Sequence, residues 1–444
     1  MTKHWKRSRI TKALTDAARA GSFQEAEARL DAVRVAVVVA ADQCVTSAGQ
    51  AAVLTAVATA CKCFGRVTLV SDADAPLIAR LPAGPSLHAA ARRLGAWIAR
   101  TPSARTTHAI MIGEARCDAP WIIRCWWDRW LSGTRVRDEI MGDAGLALAG
   151  VFAAALAIRQ IFTCVLAGKT LRARDATVSL WAPWEAADRN TTGPESFDVP
   201  DHLWFLGLGH LGQGFIWNLC LLGARGGRAV VQDDQIIGEE NEATSLLVLN
   251  GDVGERKTRI AARWLGAAGW TESILERRHH GDIPLLPDDP PYLLSGLDRV
   301  QPRLAMAKHG FDYMIDAGLG HGPHDFDGIQ LRVIAKGKSH DDLWNAPDPV
   351  PEDALSRRQS SAAYKDLETH IGQCGIVSFA EASTSVPFVG AAAGALVIAQ
   401  AIRLASLNAT ARFLQMQLGA PEMVSVAEFV PTPEINLGGV ALRL

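Results

Sequence analysis

Residues 35–40, VAVVVA, form an unbroken apolar run dominated by β-branched side chains. That is the pattern of a strand buried on both faces. A loop and helix fit 45–63, and RVTLV at 66–70 predicts a second strand, ending in Ser71-Asp72-Ala73-Asp74. The same order returns later: LWFLGL at 203–208 predicts a strand, 211–222 a helix, RAVVQ at 228–232 a strand, with Asp233-Asp234 at its end. HAIMIG (108–113) and DYMIDAG (312–318) predict later strands that correspond to each other. Strands alternating with helices predict an α/β fold, a Rossmann-like, doubly wound and mostly parallel sheet with right-handed crossovers.

The order occurs twice, so the chain is expected to hold two homologous-looking halves. GVFAAALAIRQ at 150–160 and GAAAGALVIAQ at 390–400 strengthen this. At a constant offset of 240 they share Gly150/Gly390, Ala153/Ala393, Ala155/Ala395, Leu156/Leu396, Ile158/Ile398 and Gln160/Gln400. The expected division is a first domain over 1–171, a connection over 172–201 and a second domain over 202–444. The second domain is longer by an insert at about 319–385, in which NAPDPVPEDALSRRQSS (345–361) reads as an exposed loop.

Composition narrows the function classes. The chain has 444 residues, 48% of them hydrophobic, and a net charge of −2. This is ordinary globular material with no basic stripe for nucleic acid. The apolar segments near 145–166 and 386–406 carry Arg159 or Arg403 and are expected to be buried helices, not membrane spans. The N-terminal MTKHWKRSRI lacks an apolar signal core. None of the eight cysteines forms a C-x-x-C pair, which argues against zinc and disulfides and fits a reducing cytoplasm.

The candidate chemistry starts at LGLGHLGQGF (206–215), where Gly207, Gly209 and Gly212 make G-x-G-x-x-G. Such a turn aims helix N–H groups at a phosphate. Asp233 ends the next strand, 19 residues beyond Gly214, where a carboxylate accepts from ribose hydroxyls. The first half has AADQCVTSAGQ (40–50) at the same place and keeps only Gly49. It is therefore expected to retain the fold without the nucleotide. The glycines and Asp233 alone fit NAD as well as ATP.

Residues 207–270 resemble the adenylation domain of the ThiF/MoeB/HesA family, to which the ubiquitin-activating enzymes belong. The family's ordered residues match Asp233, Asn241 in GEENEATS, Lys257 in GDVGERKTRIAARWL and Asp298 in SGLDRVQPR, without gaps from Asp233 to Lys257. The resemblance implies an adenylyltransferase that uses ATP and Mg²⁺ to activate the C-terminal carboxylate of a ubiquitin-like or sulfur-carrier protein. A conjugating enzyme is a possible further partner. It implies that Lys257 neutralises phosphate charge, that Asp298 holds Mg²⁺, and that Asn241 orients a phosphate oxygen or the ribose. The family works as a dimer, so the two halves would form a pseudo-dimer, with further homo-dimerisation left open. No nucleic acid and no membrane are expected as partners.

Two positions depart from the family pattern: Thr244 replaces an arginine and Arg299 an asparagine. Arg256, Arg299 or Arg303 is a substitute cation, and Arg7 or Arg9 one supplied by the first half. The family's later step, thioester transfer, points to Cys374 in THIGQCGIVSF as the nucleophile, against a packing role for that thiol. Cys61, Cys63 and Cys220 read as packing. GLGHGPHDFDG (318–328), with His321, His324, Asp325 and Asp327, reads as a loop over the nucleotide in preference to a metal site. WIIRCWWDRW (121–130) puts Ile123, Trp126, Trp127 and Trp130 at helical spacing, a core pattern that also suits a seam between halves or a partner face. The competing functions are an NAD-dependent oxidoreductase and a non-catalytic scaffold.

Overall fold

The computed structural model describes residues 6–137, 142, 145–320, 325–337, 361–368, 380, 384–407, 409–430 and 440–443. Two short helices, α1 (Ser8–Asp16) and α2 (Phe23–Asp31), open the chain. The first sheet follows, built from β1 (Arg34–Val39), β2 (Arg66–Val70), β3 (Trp97–Ala99), β4 (His108–Ile112), β5 (Ile122–Asp128), β6 (Leu131–Arg135) and β7 (Ala176–Ser179). Helices α3 (Ser47–Cys63), α4 (Leu87–Arg93) and α5 (Ala147–Ala167) connect β1 to β2, β2 to β3 and β6 to β7. Strand β8 (Ser196–Val199) leads to the second sheet: β9 (His202–Leu206), β10 (Arg228–Gln232), β11 (Thr271–Leu275), β12 (Tyr292–Ser295), β13 (Tyr313–Leu319), β14 (Gly328–Ala335), β15 (Thr410–Gln417) and β16 (Ala420–Val430). Its helices are α6 (His210–Leu222), α7 (Glu239–Thr244), α8 (Lys257–Ala268), α9 (Val300–Ala307) and α10 (Pro387–Leu407), and β17 (Val440–Arg443) pairs with β8.

The strand orders are β3-β2-β1-β4-β5-β6-β7 and β11-β10-β9-β12-β13-β14-β15-β16. Each sheet is parallel from its first edge through the fifth strand and antiparallel after it. The fold is thus α/β with a duplicated, mostly parallel sheet, as the alternation predicted.

Matching by sheet position corrects the strand correspondence. DYMIDAG (β13) occupies the place of β5, while the partner of HAIMIG (β4) is YLLS (β12). The segment WIIRCWWDRW is also a strand and turn, not a helix. Ile123, Cys125 and Trp127 alternate into the main core, and an i, i+3, i+4 pattern over ten residues also contains period 2. The predicted burial holds: Trp126 is 8% exposed, Trp127 2% and Trp130 0%. The expected connection 172–201 carries β7, and the expected insert 319–385 carries β14, so both contain core strands.

Helices α3 and α5 pack on the first sheet and α6 and α10 on the second, and α5 meets α10 across the seam. Both α5 and α10 are long and apolar enough to cross a membrane, yet they are 83% and 89% buried inside the fold. The repeated glycines explain themselves here. A Cβ at Gly150 would lie 2.2 Å from the Ala48 carbonyl oxygen, and one at Gly390 2.9 Å from that of His210. Each long helix runs against the first turn of its partner, and only glycine permits the approach. Cross-seam bonds join the halves: Trp217 Nε1 donates to Thr55 Oγ1 at 3.0 Å, Gln400 Nε2 to the Leu180 carbonyl at 2.9 Å and Arg159 Nε to Asp327 Oδ2 at 2.8 Å.

Candidate functional site

The three glycines of the turn do three different things. Gly207 adopts φ +78°, a left-handed conformation that L side chains avoid. Gly212 sits so close to Gly207 that its Cβ would lie 2.1 Å from the Gly207 carbonyl oxygen. Gly209 caps α6, and a Cβ there would meet nothing within 4 Å. Its open side is where a ligand would meet the helix N-terminus. Gly214 does not serve the turn: its Cβ would strike the Gly390 carbonyl at 2.1 Å, so it belongs to the α6–α10 crossing. In the first half Gly49 repeats only the Gly212 contact, against the Gln43 carbonyl at 2.1 Å. A 3₁₀ turn, Gln43–Val45, stands where the second half has its other glycines.

Asp233 braces the turn. Its Oδ2 accepts from the Leu208 N–H at 2.7 Å and its Oδ1 from the Gln235 N–H at 2.8 Å. Gln235 in turn holds Lys257: Nζ donates to Gln235 Oε1 at 2.6 Å, and the Lys257 N–H donates to the Gln235 carbonyl at 3.1 Å. Lys257 is only 7% exposed, so it is not a solvated member of the charged helix face around it. Gln235 carried no signal of its own in the sequence. Asn241 Oδ1 accepts from the Gly238 N–H at 2.9 Å, closing the first turn of α7, which leaves its amide nitrogen as the donor for a ligand. Thr244, in place of the expected arginine, is buried and donates to the Glu240 carbonyl at 3.0 Å.

The loop after β12 abuts the glycine turn, because a Cβ at Gly296 would fall 2.8 Å from the Gly212 nitrogen. Asp298, two residues on, is exposed. It does not cap α9, whose N-cap is Arg299 without a side-chain cap. Burial lowers the pKa of the Arg9 guanidinium from its ordinary value, and the charges of Glu240, Asp298 and Tyr364 draw it back up. Arg9 comes from α1, so the first half brings a cation to the acids of the second. Of the two arginines expected there, Arg7 goes elsewhere. It pairs with Asp31 at 2.9 Å and Glu27 at 3.2 Å and donates to the Phe64 carbonyl.

Arg303 is also committed. It bonds the Leu297 and Ala317 carbonyls and lies 3.3 Å from Asp316, which is fully buried and also accepts from Ser295 Oγ at 2.8 Å. Asp316 ties the Asp298 loop to the sheet and was missed in the sequence. A lone acid inside the apolar run YMIDAGL was the available signal, since a buried carboxylate requires partners. Arg256 donates to the Asp234 carbonyl at 3.0 Å, and Arg299 is exposed beside Asp298.

Cys374, His321 and His324 lie outside the described residues. Asp327 pairs with Arg159, and among the described residues no group of three or more His, Cys, Asp or Glu side chains suits a metal. Burial raises the thiol pKa of Cys61 to about 12 and that of Cys63 and Cys220 further still, so these thiols stay protonated and pack.

Both halves match BilD domains. Residues 34–180 match the BilD N-terminal domain and residues 199–407 the BilD C-terminal domain. A bacterial E1-like protein BilD from Collimonas sp. (strain OK412) is 28% identical over 408 residues, covering 89% of this chain and 87% of that protein. The BilD boundary between residues 180 and 199 falls after β7 and before β9, in agreement with the sheets. Among solved structures, E. coli MccB with MccA-N7isoASN overlaps the chain at a TM-score of 0.35 and 13% identity, over 53% of this chain and 67% of that one. E. coli MccB with ATP does so at 0.35 and 14%, over 53% and 65%. Scores of this size mark a partial overlap.

Proposed function

We propose that the protein adenylates the C-terminal carboxylate of a small ubiquitin-like or sulfur-carrier protein, using ATP. The observation that carries the reading is the buried Lys257 ammonium, held by Gln235 behind a glycine turn that Asp233 braces, with the Arg9 guanidinium of the first half within electrostatic reach of Glu240 and Asp298. Hydride transfer to or from NAD has no need of such a cation. Adenylation does, because negative charge grows on the phosphates as pyrophosphate leaves. The E1-like description of the BilD relative agrees with it.

In the proposed reaction a carrier carboxylate oxygen attacks the α-phosphorus of ATP. That P–O bond forms as the bond to the bridging oxygen of pyrophosphate breaks, and the electron pair leaves with pyrophosphate. Gly209 and the α6 N–H groups receive phosphate, and Asp233 receives the ribose. Lys257 and Arg9 offset the charge that develops. Asp298 fits Mg²⁺ as its one protein carboxylate, since that ion in nucleotide sites takes one or two carboxylates plus phosphate and water oxygens. When bound, it would neutralise phosphate charge. Cys374 is proposed as the thiol that then attacks the acyl carbon, forming a thioester and releasing AMP.

The test is ATP–pyrophosphate exchange with Mg²⁺ and candidate carriers. Exchange that is lost in Lys257→Ala and Asp298→Ala supports the reading. Absence of exchange with every carrier, together with tight NAD binding, would sink it. A thioester that persists in Cys374→Ala would remove that residue from the mechanism.

A further inference from the structure

The first half carries a feature that the proposed adenylation site does not use. At the amino ends of its strands, opposite the edge that holds the nucleotide turn in the second half, lies a cavity of about 260 Å³. It is lined by Arg34, Val35, Arg66, Thr68, Ser103, Arg105 and Thr106. Three of the seven lining residues are arginines and none is acidic. Arg34 and Arg66 are register partners on the adjacent strands β1 and β2. Like charges held side by side this way are destabilising. Among the described residues, no carboxylate ion-pairs with any of the three guanidiniums. Arg66 stacks on Trp97 at 4.6 Å, which orients the guanidinium without cancelling its charge.

The duplicated half provides an internal control. The positions of Arg34 and Arg66 in the first sheet are those of His202 and Arg228 in the second, which are also register partners. There the charge is answered locally. Arg228 Nε donates to His202 Nε2 at 2.8 Å, and His202 Nδ1 meets Asp201 Oδ1 at 2.6 Å. The residue before Arg34 is Val33, so the first half lacks that acid.

The outer face of the sheet differs in the same sense. By alternation Arg34 shares its face with Ala36 and Val38, away from α3 and α5. In the second half α9 packs on the equivalent face, over Trp204, Leu293 and Met314. In the first half residues 113–121 connect β4 to β5 without a helix, and Ala115, Cys117 and Ala119 of that loop cover only the apolar middle of the face, over Ala36, Val38 and Met111.

We propose that this cavity is a binding site for a phosphate group. Three arginines lining one cavity together with Thr68, Ser103 and Thr106 supply guanidinium and hydroxyl donors of the kind a tetrahedral dianion takes, and arginine offers them in pairs. The phosphate is borne either by a free small molecule or by a phosphorylated side chain of a partner protein.

The experiment titrates inorganic phosphate into the intact protein by calorimetry at constant ionic strength, with chloride as the control. Saturable binding is expected, weakened about tenfold or more in Arg34→Gln and Arg66→Gln and retained in Lys257→Ala. Arg105→Gln, in a loop, gives the same weakening without altering a strand. A phosphoserine peptide that displaces phosphate assigns the site to a protein ligand, and failure to displace assigns it to a free phosphate compound. No saturable binding beyond chloride, or binding unchanged in all three arginine variants, overturns the proposal.

Discussion

Lys257 begins a helix among Glu255, Arg256, Arg259 and Arg263, yet it is buried and its ammonium is held by the neutral amide of Gln235. A buried ammonium tied to an amide keeps its whole charge available to a phosphate. Lys257→Ala is therefore expected to cut pyrophosphate exchange by about 10²–10³-fold, with a small change in melting temperature; a large loss of stability with intact exchange per folded molecule would refute this. His210, on the first turn of α6, gives a second prediction. Its Nε2 meets the Val386 carbonyl at 2.8 Å, and burial lowers its pKa from about 6.5 to about 4. His108 and His279 are lowered to about 4 by burial as well. Between these values the unfolded chain binds protons that the native one refuses, so stability rises with pH there and falls on acidification. Melting temperature should drop steadily from about pH 6.5 toward 4, and His210→Gln should flatten that slope; an unchanged slope would show that His210 titrates normally.

At the scale of elements, the glycine turn separates folding from binding. Gly209→Ala adds a methyl to open space at an ordinary backbone conformation, φ −77°. It should change stability by no more than about 1 kcal/mol while weakening ATP binding, read by calorimetry beside a thermal melt. Gly214→Ala drives a methyl into the Gly390 carbonyl. It should cost about 1–3 kcal/mol, with ATP affinity per folded molecule largely kept. The opposite assignment of the two effects would mean that Gly209 packs and Gly214 binds.

The sequence showed the turn, the strands on either side of it and the repeated helix, because glycine spacing and β-branched runs are local signals. It did not show which strand matched which, since β4, β5, β12 and β13 are all short apolar runs and only pairing orders them. WIIRCWWDRW carried two periods at once, and its strand state was decided by pairing with β4 and β6. The Asp233–Gln235–Lys257 chain and the Asp316 network depend on side chains meeting across 22 and 13 or more residues of sequence, and neither leaves a periodic trace.

For the whole molecule, the duplication makes each half incomplete. Helix α10 is long and apolar and is buried partly against α5, which is equally apolar. Cutting the chain between the sheets would expose both apolar faces, and patches of that kind drive association. The second half would also lose Arg9, together with Lys62, whose Nζ donates to the Glu242 carbonyl at 2.6 Å and so steadies α7. Residues 199–444 expressed alone are therefore expected to aggregate, and to copurify as a soluble complex when co-expressed with residues 1–180. Exchange activity should return in that complex. Arg9→Ala placed in the first fragment should then lower exchange by about 10²-fold while leaving copurification intact, because Arg9 faces the acids of the site and the seam is held by α5, α10 and the Trp217–Thr55 and Arg159–Asp327 bonds. A soluble, fully active second half would show instead that the first half is a passenger, and its arginine would have no part in the chemistry.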